Sequence, residues 1–212
     1  MKKIKYSEFI KWKDRIKKTD SFLDIGCWSG ATVLKLNDKC NAYGADFNKE
    51  TLKLADKKIK NKLVFCDITK NKPFDKEFDW ILMSEVIEHI SEEDKAIENV
   101  SKSIKEGGKL ILTTPKSIPF FQFYDPAWVR WKCGGKERHH HFTLEELEEL
   151  LNKNGLILKE YTIAGNFRWI IIRWINVFLK FVLKSKRIIE NEYSDGFIDW
   201  MIIAEKKRGY AL

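Results

Sequence analysis

Apolar and polar positions along this chain switch repeatedly between two periods. Short apolar runs of strand type occupy Phe22 to Ile25, Cys40 to Phe47, Lys62 to Cys66, Phe78 to Met83, Lys109 to Thr114, Leu156 to Ile163 and Phe197 to Glu205. Helical spacing fills much of the chain between them. Phe9, Ile10, Trp12 and Ile16 predict an amphipathic helix over Tyr6 to Ile16, and Val33, Leu34 and Leu36 a helix after Gly30. Leu52, Leu54 and Ala55 belong to a helix over Lys49 to Ile59, with Asn48 as its N-cap. Ala96, Ile97, Val100 and Ile104 make one apolar face over Ser91 to Ile104, with Ser91 as N-cap and acids in the first turn. Thr143 caps a helix that ends at the glycine of Lys153-Asn154-Gly155, and Glu106-Gly107-Gly108 reads as a turn. The run Phe78 to Met83 is nearly all apolar, as a central parallel strand should be.

Two stretches escape this alternation. Lys116 to His141 is a long connection rich in aromatic and cationic residues. Long connections inside a compact domain usually carry function. Asn166 to Asp195 interrupts the last two strands with a strongly apolar helix. Its polar positions Arg173, Asn176, Lys180 and Lys184 form a narrow stripe. Charges within the run exclude a spanning helix. An amphipathic helix at a membrane surface fits, as does a helix packed on the domain or on a second copy.

Composition narrows the class without choosing a partner. The 212 residues suit one domain, 1–212, and 44% hydrophobic with 33% charged residues is a globular balance. The four cysteines show no zinc-type pairing, and the Lys-rich N-terminus lacks an apolar leader core. A cytoplasmic protein with reduced thiols is the expectation, with Cys27 and Cys66 packing at strand ends. The net charge of +8 admits nucleic acid, an anionic membrane surface or acidic substrates, and selects none.

The chemistry starts at Phe22 to Leu36, FLDIGCWSGATVLKL. A strand enters a glycine turn and leaves as a helix, so the backbone can approach a ligand closely and the helix start offers free N–H groups. Asp24 precedes the turn. A dinucleotide loop would place glycine where Trp28 and Ala31 stand, so a pyrophosphate ligand is disfavoured. The string D-x-G-C-x-x-G resembles motif I of class I S-adenosylmethionine-dependent methyltransferases. That resemblance implies an α/β, Rossmann-like, doubly wound seven-stranded sheet in the order 3-2-1-4-5-7-6. Its last strand is antiparallel, and here the helical insertion precedes it. It also implies that Asp24, Gly26, Cys27 and Gly30 shape the pocket for the methionine portion of the cofactor.

Further acids follow at successive strand ends, where ligands bind in parallel sheets. Asp46 lies about twenty residues beyond the turn and can accept two bonds from ribose hydroxyls. Phe47 can pack on the adenine, and the resemblance implies adenine contacts from Asp67 and Ile68. Ser84-Glu85-Val86-Ile87-Glu88-His89 then closes the fourth strand. It is similar to the corresponding motif of type-11 and ubiquinone-pathway O-methyltransferases, and small-RNA 2′-O-methyltransferases carry a related E-x-x-E-H element. The resemblance implies a cofactor contact from Ser84. It also implies Glu85, Glu88 and His89 as ligands to a divalent ion such as magnesium, which would lower the pKa of an acceptor oxygen. An alternative reading has the same residues merely shaping the cofactor pocket.

The expected activity is therefore methyl transfer to a small or lipid-linked hydroxyl, with Glu85, His89 and His141 as candidates for the proton-accepting group. His141 is the member of the His139–His141 run expected to face the pocket. Loop 116–141 is open to three readings: an apolar acceptor pocket, a nucleic-acid surface, or a packed lid. The absence of a separate RNA-binding domain weighs against RNA 2′-O-methylation. A non-catalytic cofactor-binding or membrane-docking protein is the third alternative. Peripheral membrane association and a lipid-linked acceptor follow from the apolar insertion.

Overall fold

The computed structural model describes residues 1–185 and 187–209. The expected domain 1–212 and insertion 166–195 also take in residues 186 and 210–212, which lie outside the described residues.

The strands are β1 (Lys2–Lys3), β2 (Ser21–Ile25), β3 (Asn41–Asp46), β4 (Leu63–Phe65), β5 (Phe78–Ser84), β6 (Ile104–Pro115), β7 (Leu156–Ala164) and β8 (Asp199–Lys206). They form one sheet in the order β1-β7-β8-β6-β5-β2-β3-β4. Only β8 runs antiparallel, against both β6 and β7. The seven expected strands keep their order. The eighth, β1, pairs in parallel with β7 at the far edge through Lys2 and Lys3. Two exposed lysines on an edge carry no hydrophobic pattern, so the sequence gives no sign of it.

Helices α4 (Glu93–Ser103) and α6 (Leu144–Lys153) bury Ile97, Val100, Leu147 and Leu151 on one face of the sheet. On the other face, α1 (Tyr6–Phe9) and α2 (Ala31–Leu36) contribute Phe9, Val33 and Leu36. Trp12 stacks on Phe22 there, at 5.9 Å and 8°. A third cluster sets Tyr124, Trp169, Ile170 and Ile198 under α7 (Phe167–Phe181). Beside it lies α5 (Pro126–Lys132), which Asp125 caps by accepting from the Ala127 N–H at 2.9 Å.

Four expected elements differ in extent. The helix over Tyr6 to Ile16 is α-helical only to Phe9 and continues as 3₁₀ turns over Ile10–Arg15. The helix from Lys49 stops at Lys53, as α3 (Lys49–Lys53). Three residues later the Asp56 carboxylate accepts from the Lys58 N–H at 2.8 Å, a local bond that competes with helix. Asn48 is its N-cap, but Glu92 rather than Ser91 holds that place for α4, with no side-chain bond. Glu106-Gly107-Gly108 is no turn. β6 runs straight through it, with a register irregularity against β5 between Phe78 and Trp80.

Candidate active site

β2 ends in the loop Gly26 to Gly30, which is fastened to β3. The N–H groups of Gly26 and Cys27 both donate to the Ala45 carbonyl, at 2.8 and 3.2 Å. Gly26 has φ +77°, and a β-carbon there would lie 2.3 Å from Val86 Cγ2, so no other residue fits without displacement. Gly30 (φ +82°) is the N-cap of α2. Trp28 also has positive φ, 53°, although it has a bulky side chain and stands 70% exposed. Such a backbone costs on the order of 1–2 kcal/mol and persists where surrounding bonds enforce it. Here the enforcing bond runs from the Trp28 N–H to Asp46 Oδ2, at 2.7 Å. Asp46 Oδ1 accepts from the Asn48 N–H at the same distance. Each oxygen of Asp46 thus holds one backbone N–H and keeps a lone pair for a further donor.

Two cavities flank this loop. The first, of about 430 Å³, is lined by Gly26, Asp46, Phe47, Asp67, Ile68 and Ser84, with Glu85 and His89 at the same end. The second, of about 360 Å³, is lined by Asp24, Cys27, Thr32 and Thr113, with Tyr6 and Trp12 from the N-terminal segment. Gly26, Trp28 and Ser84 belong to both. Gly30 and Glu88 line neither; Gly30 shapes the loop. Asp67 is held within its own turn, its Oδ1 accepting from the N–H and hydroxyl of Thr69 at 3.1 and 2.7 Å. Phe47 is 69% exposed, beside Phe65 at 6.0 Å.

Buried carboxylates dominate the electrostatics. Burial, reinforced by repulsion from Asp46, pushes the Asp24 carboxyl up to about 7 against a hydrogen bond from Thr32. Burial also raises the Cys27 thiol. At the end of β5, Glu85 has φ +54°. Its carboxyl is raised by burial, which a bond from Thr113 opposes. Glu88 is raised further, by burial and then by repulsion from Glu85. The Thr113 hydroxyl donates to Glu85 Oε1 at 2.9 Å and bonds Ser84 Oγ at 2.8 Å. Thr113 has one proton and gives it to the carboxylate, so Ser84 is the donor in the second bond.

The expected ligand trio Glu85, Glu88 and His89 is not the one assembled. The ligand atoms of Glu88, His89 and His139 lie within 4.8 Å of one another, and those of Asp125, His139 and His141 form a second such group. Glu85 belongs to neither, because Thr113 holds it on the strand side. His89 Nδ1 faces the Arg138 carbonyl at 2.8 Å and so carries the proton, which leaves Nε2 as a lone-pair donor. Burial keeps His89 low. Glu88 Oε1 and His139 Nδ1 are both buried and have no hydrogen-bond partner among the described residues.

His141 does not reach either cavity. Its side chain is fully enclosed, stacked on Tyr124 at 5.1 Å, and its Nε2 donates to Asp125 Oδ2 at 3.2 Å. His139 is two residues away on the same side of an extended stretch. It shares that oxygen at 2.6 Å, while His140 turns outward onto Phe142. Arg173, one of the expected polar stripe of α7, turns inward and pairs with Asp125 Oδ1 at 3.1 Å. Burial works against the charged Asp125, but bonds from His139 and His141 and the Arg173 charge outweigh it and hold the carboxyl well below its usual range.

None of the aromatic side chains of loop 116–141 lines either cavity among the described residues. Tyr124 and Phe121 pack into the third core cluster instead. The loop meets the site through Arg138, whose guanidinium reaches the Ile90 carbonyl and, at 2.5 Å, Glu93. Sequence reasoning missed Trp28, Thr113, Asp125 and His139. The Asp-Pro start of α5 marks Asp125 as a cap, but nothing local announces its histidine and arginine partners.

A methyltransferase domain family profile matches residues 5–160. A ubiquinone biosynthesis O-methyltransferase of Pelagibacter ubique is 30% identical over 167 residues, covering 71% of this chain and 67% of that protein. Among solved structures, a SAM-dependent methyltransferase of Methanosarcina mazei superposes with a TM-score of 0.65 at 18% identity, over 92% of this chain and 95% of that one. Phosphoethanolamine N-methyltransferase 2 of Haemonchus contortus, solved with S-adenosyl-L-methionine, gives 0.63 at 16% identity, over 96% of this chain and 53% of that one.

Proposed function

The chain belongs to the methyltransferase domain family, as a class I S-adenosylmethionine-dependent enzyme, and from that premise we propose that it O-methylates a small or lipid-linked acceptor. The cofactor supplies a methyl group on a sulfonium. Asp46, Phe47, Asp67 and Ile68 bind its adenosine side in the first cavity. Asp24 and Cys27 face its methionine side in the second, where a buried carboxyl raised towards 7 suits a cationic ammonium group. The cavities meet at Gly26, Trp28 and Ser84, and that shared wall supports a transfer point at the seam. Methyl transfer chiefly requires an acceptor lone pair held in line in a dry site.

The observation that carries the oxygen reading is the Ser84–Thr113–Glu85 chain. Ser84 Oγ donates inward, so its lone pairs are left to accept from an acceptor hydroxyl. The proton then passes by two hydrogen bonds to the ionised Glu85, whose raised carboxyl is a stronger base than an ordinary one. His89, neutral with its Nε2 lone pair unbonded, is a second acceptor of protons at the same end of the first cavity. His141, enclosed and bonded to Asp125, takes no part in accepting the proton. The 30% identical relative, a ubiquinone biosynthesis O-methyltransferase, supports the same acceptor class. A lipid-linked acceptor implies contact with a bilayer, and the exposed apolar face of α7 supports peripheral placement there.

One observation favours a divalent ion as well. Glu88 Oε1 and His139 Nδ1 are buried, unpartnered atoms grouped with the exposed His89, and Asp125 orients His139 from behind. Two imidazoles and a carboxylate suit manganese, iron or zinc better than magnesium. Such an ion, held by Glu88, His89 and His139, would supply positive charge that lowers the pKa of an acceptor hydroxyl.

The test is transfer of labelled methyl from S-adenosylmethionine into a cell extract, fractionated into lipid, RNA, protein and small molecules, with and without chelator. The expected label is an ether in the lipid or small-molecule fraction, and its loss with chelator would support the ion. Label confined to RNA would overturn the acceptor class, and label on nitrogen would overturn the oxygen reading. Chelator-insensitive transfer would remove the ion.

A further inference from the structure

We propose that the cavity between α7 and the strap following it binds the phosphate headgroup of an anionic membrane lipid, seating the enzyme on the bilayer with α7 in the interface. The inference deepens the reading of a lipid-linked acceptor, and rests on that reading for its purpose alone.

The cavity holds about 530 Å³ and is bounded by Arg173, Asn176, Lys180, Phe181, Arg187 and Ile188. It is a built feature, because three asparagines fasten the strap to the helix. Asn176 exchanges two bonds with the backbone of Ile189, donating at 2.9 Å and accepting at 2.8 Å. Asn191 donates to the Trp169 carbonyl at 3.1 Å, and Asn166 to Ser194 Oγ at 2.8 Å. Arg173 is committed to Asp125. The charge left for a ligand comes from Lys180 and Arg187, neither of which has an acidic partner among the described residues.

Around this cationic cleft the surface is apolar. Phe178, Phe181, Val182, Leu183 and Ile188 are each more than half exposed. Ile171 and Phe167 extend the patch along α7 at 59% and 65% exposure. From Asn166 to Ile189 the sequence contains no Asp or Glu. A surface that combines unpaired cations with exposed aromatic and aliphatic groups matches a phosphate joined to acyl chains. Free phosphate has no use for the apolar rim. A two-fold contact between copies would set Lys180, Lys184 and Arg187 against themselves.

The helix suits lying in the interface. Its 15 residues extend about 22 Å, and among the described residues no helix is long and apolar enough to cross a membrane. Its inner face leads to the active site in three steps. Arg173 holds Asp125, Asp125 holds His139 at 2.6 Å, and the His139 ring lies 4.9 Å from that of His89 in the first cavity.

The experiment is co-sedimentation of the full chain with vesicles of phosphatidylcholine alone and of phosphatidylcholine with phosphatidylglycerol, for the parent and for Lys180→Gln, Arg187→Gln and the double variant. Both side chains are exposed, so folding is preserved, and S-adenosylmethionine binding by each variant checks this. The expected result is binding to anionic vesicles only, weakened about fivefold by each substitution and about twenty-five-fold by both. Equal binding to both vesicle types, binding to neither, or parent-like binding by the double variant would overturn the proposal. So would a concentration-dependent dimer that competes with vesicles. Vesicle binding lost while cofactor binding and methyl transfer persist strikes docking alone. Vesicle binding kept without any methyl transfer strikes the acceptor reading alone.

Discussion

Replacing Asp24 by Asn tests the electrostatics of the cofactor pocket at one atom pair. Asp24 is buried beside Asp46, and its carboxyl is raised from an ordinary 3.8 to about 7. The folded protein therefore retains a proton that the unfolded chain has already released between those two values. Stability contributed by the protonated form is complete below about pH 4 and is lost progressively as pH rises through 7. From these two values the ionised carboxyl costs about 1.7 kcal/mol at pH 5 and about 4 kcal/mol at pH 8. Asn is isosteric and never ionises. The stability difference, variant minus parent, should thus grow by roughly 2.5 kcal/mol between pH 5 and pH 8 in favour of the variant. Groups that do not feel the Asp24 charge, such as Glu85 and Glu88, cancel in this difference. Urea denaturation of both proteins at the two pH values measures it. A difference that stays constant with pH, or that shrinks as pH rises, would refute the burial argument for Asp24.

Other substitutions probe the remaining parts of the site. Thr113→Val removes the link between Ser84 and Glu85 and should lower kcat on the order of a hundredfold. Cofactor affinity, measured by calorimetry, should change far less; an unchanged kcat would eliminate the relay. Asp125→Ala leaves the partly buried Arg173 and the buried His139 and His141 without their partner, and should lower the unfolding free energy by about 3 kcal/mol, read from the urea midpoint. The double variant Asp125→Ala with Arg173→Met should recover part of that loss, and no recovery would mean that the two side chains are not energetically coupled.

The parts of this molecule that were legible in the sequence are those whose signal is local. The glycine loop, Asp46 about twenty residues later and the Ser84–His89 string each announce themselves within a few residues. The Thr143 cap does so too, through its reciprocal bond with Glu146. The parts that were hidden depend on partners far along the chain. Arg173 sits on a helical stripe with Asn176 and Lys180, and periodicity cannot separate a buried polar contact from a solvated one. What turns it inward is Asp125, 48 residues earlier. His139 replaces Glu85 beside Glu88 and His89 because Thr113, on the neighbouring strand, already holds Glu85. The end of α3 depends on an Asx turn at Asp56 that competes with a plausible helical pattern. The edge pair Lys2–Lys3 joins the sheet by backbone bonds alone.

Titration of S-adenosylmethionine into the parent and into Asp46→Ala, by isothermal calorimetry, bears most directly on where the cofactor lies. Asp46 has a lone pair free on each oxygen at the wall of the first cavity, and it also fixes the Trp28 backbone at the seam. The parent should bind one equivalent, and the variant should bind ten- to a hundredfold more weakly, as expected for lost bonds to a charged acceptor. A parent that does not bind the cofactor, or a folded variant that binds it equally well, would contradict the account.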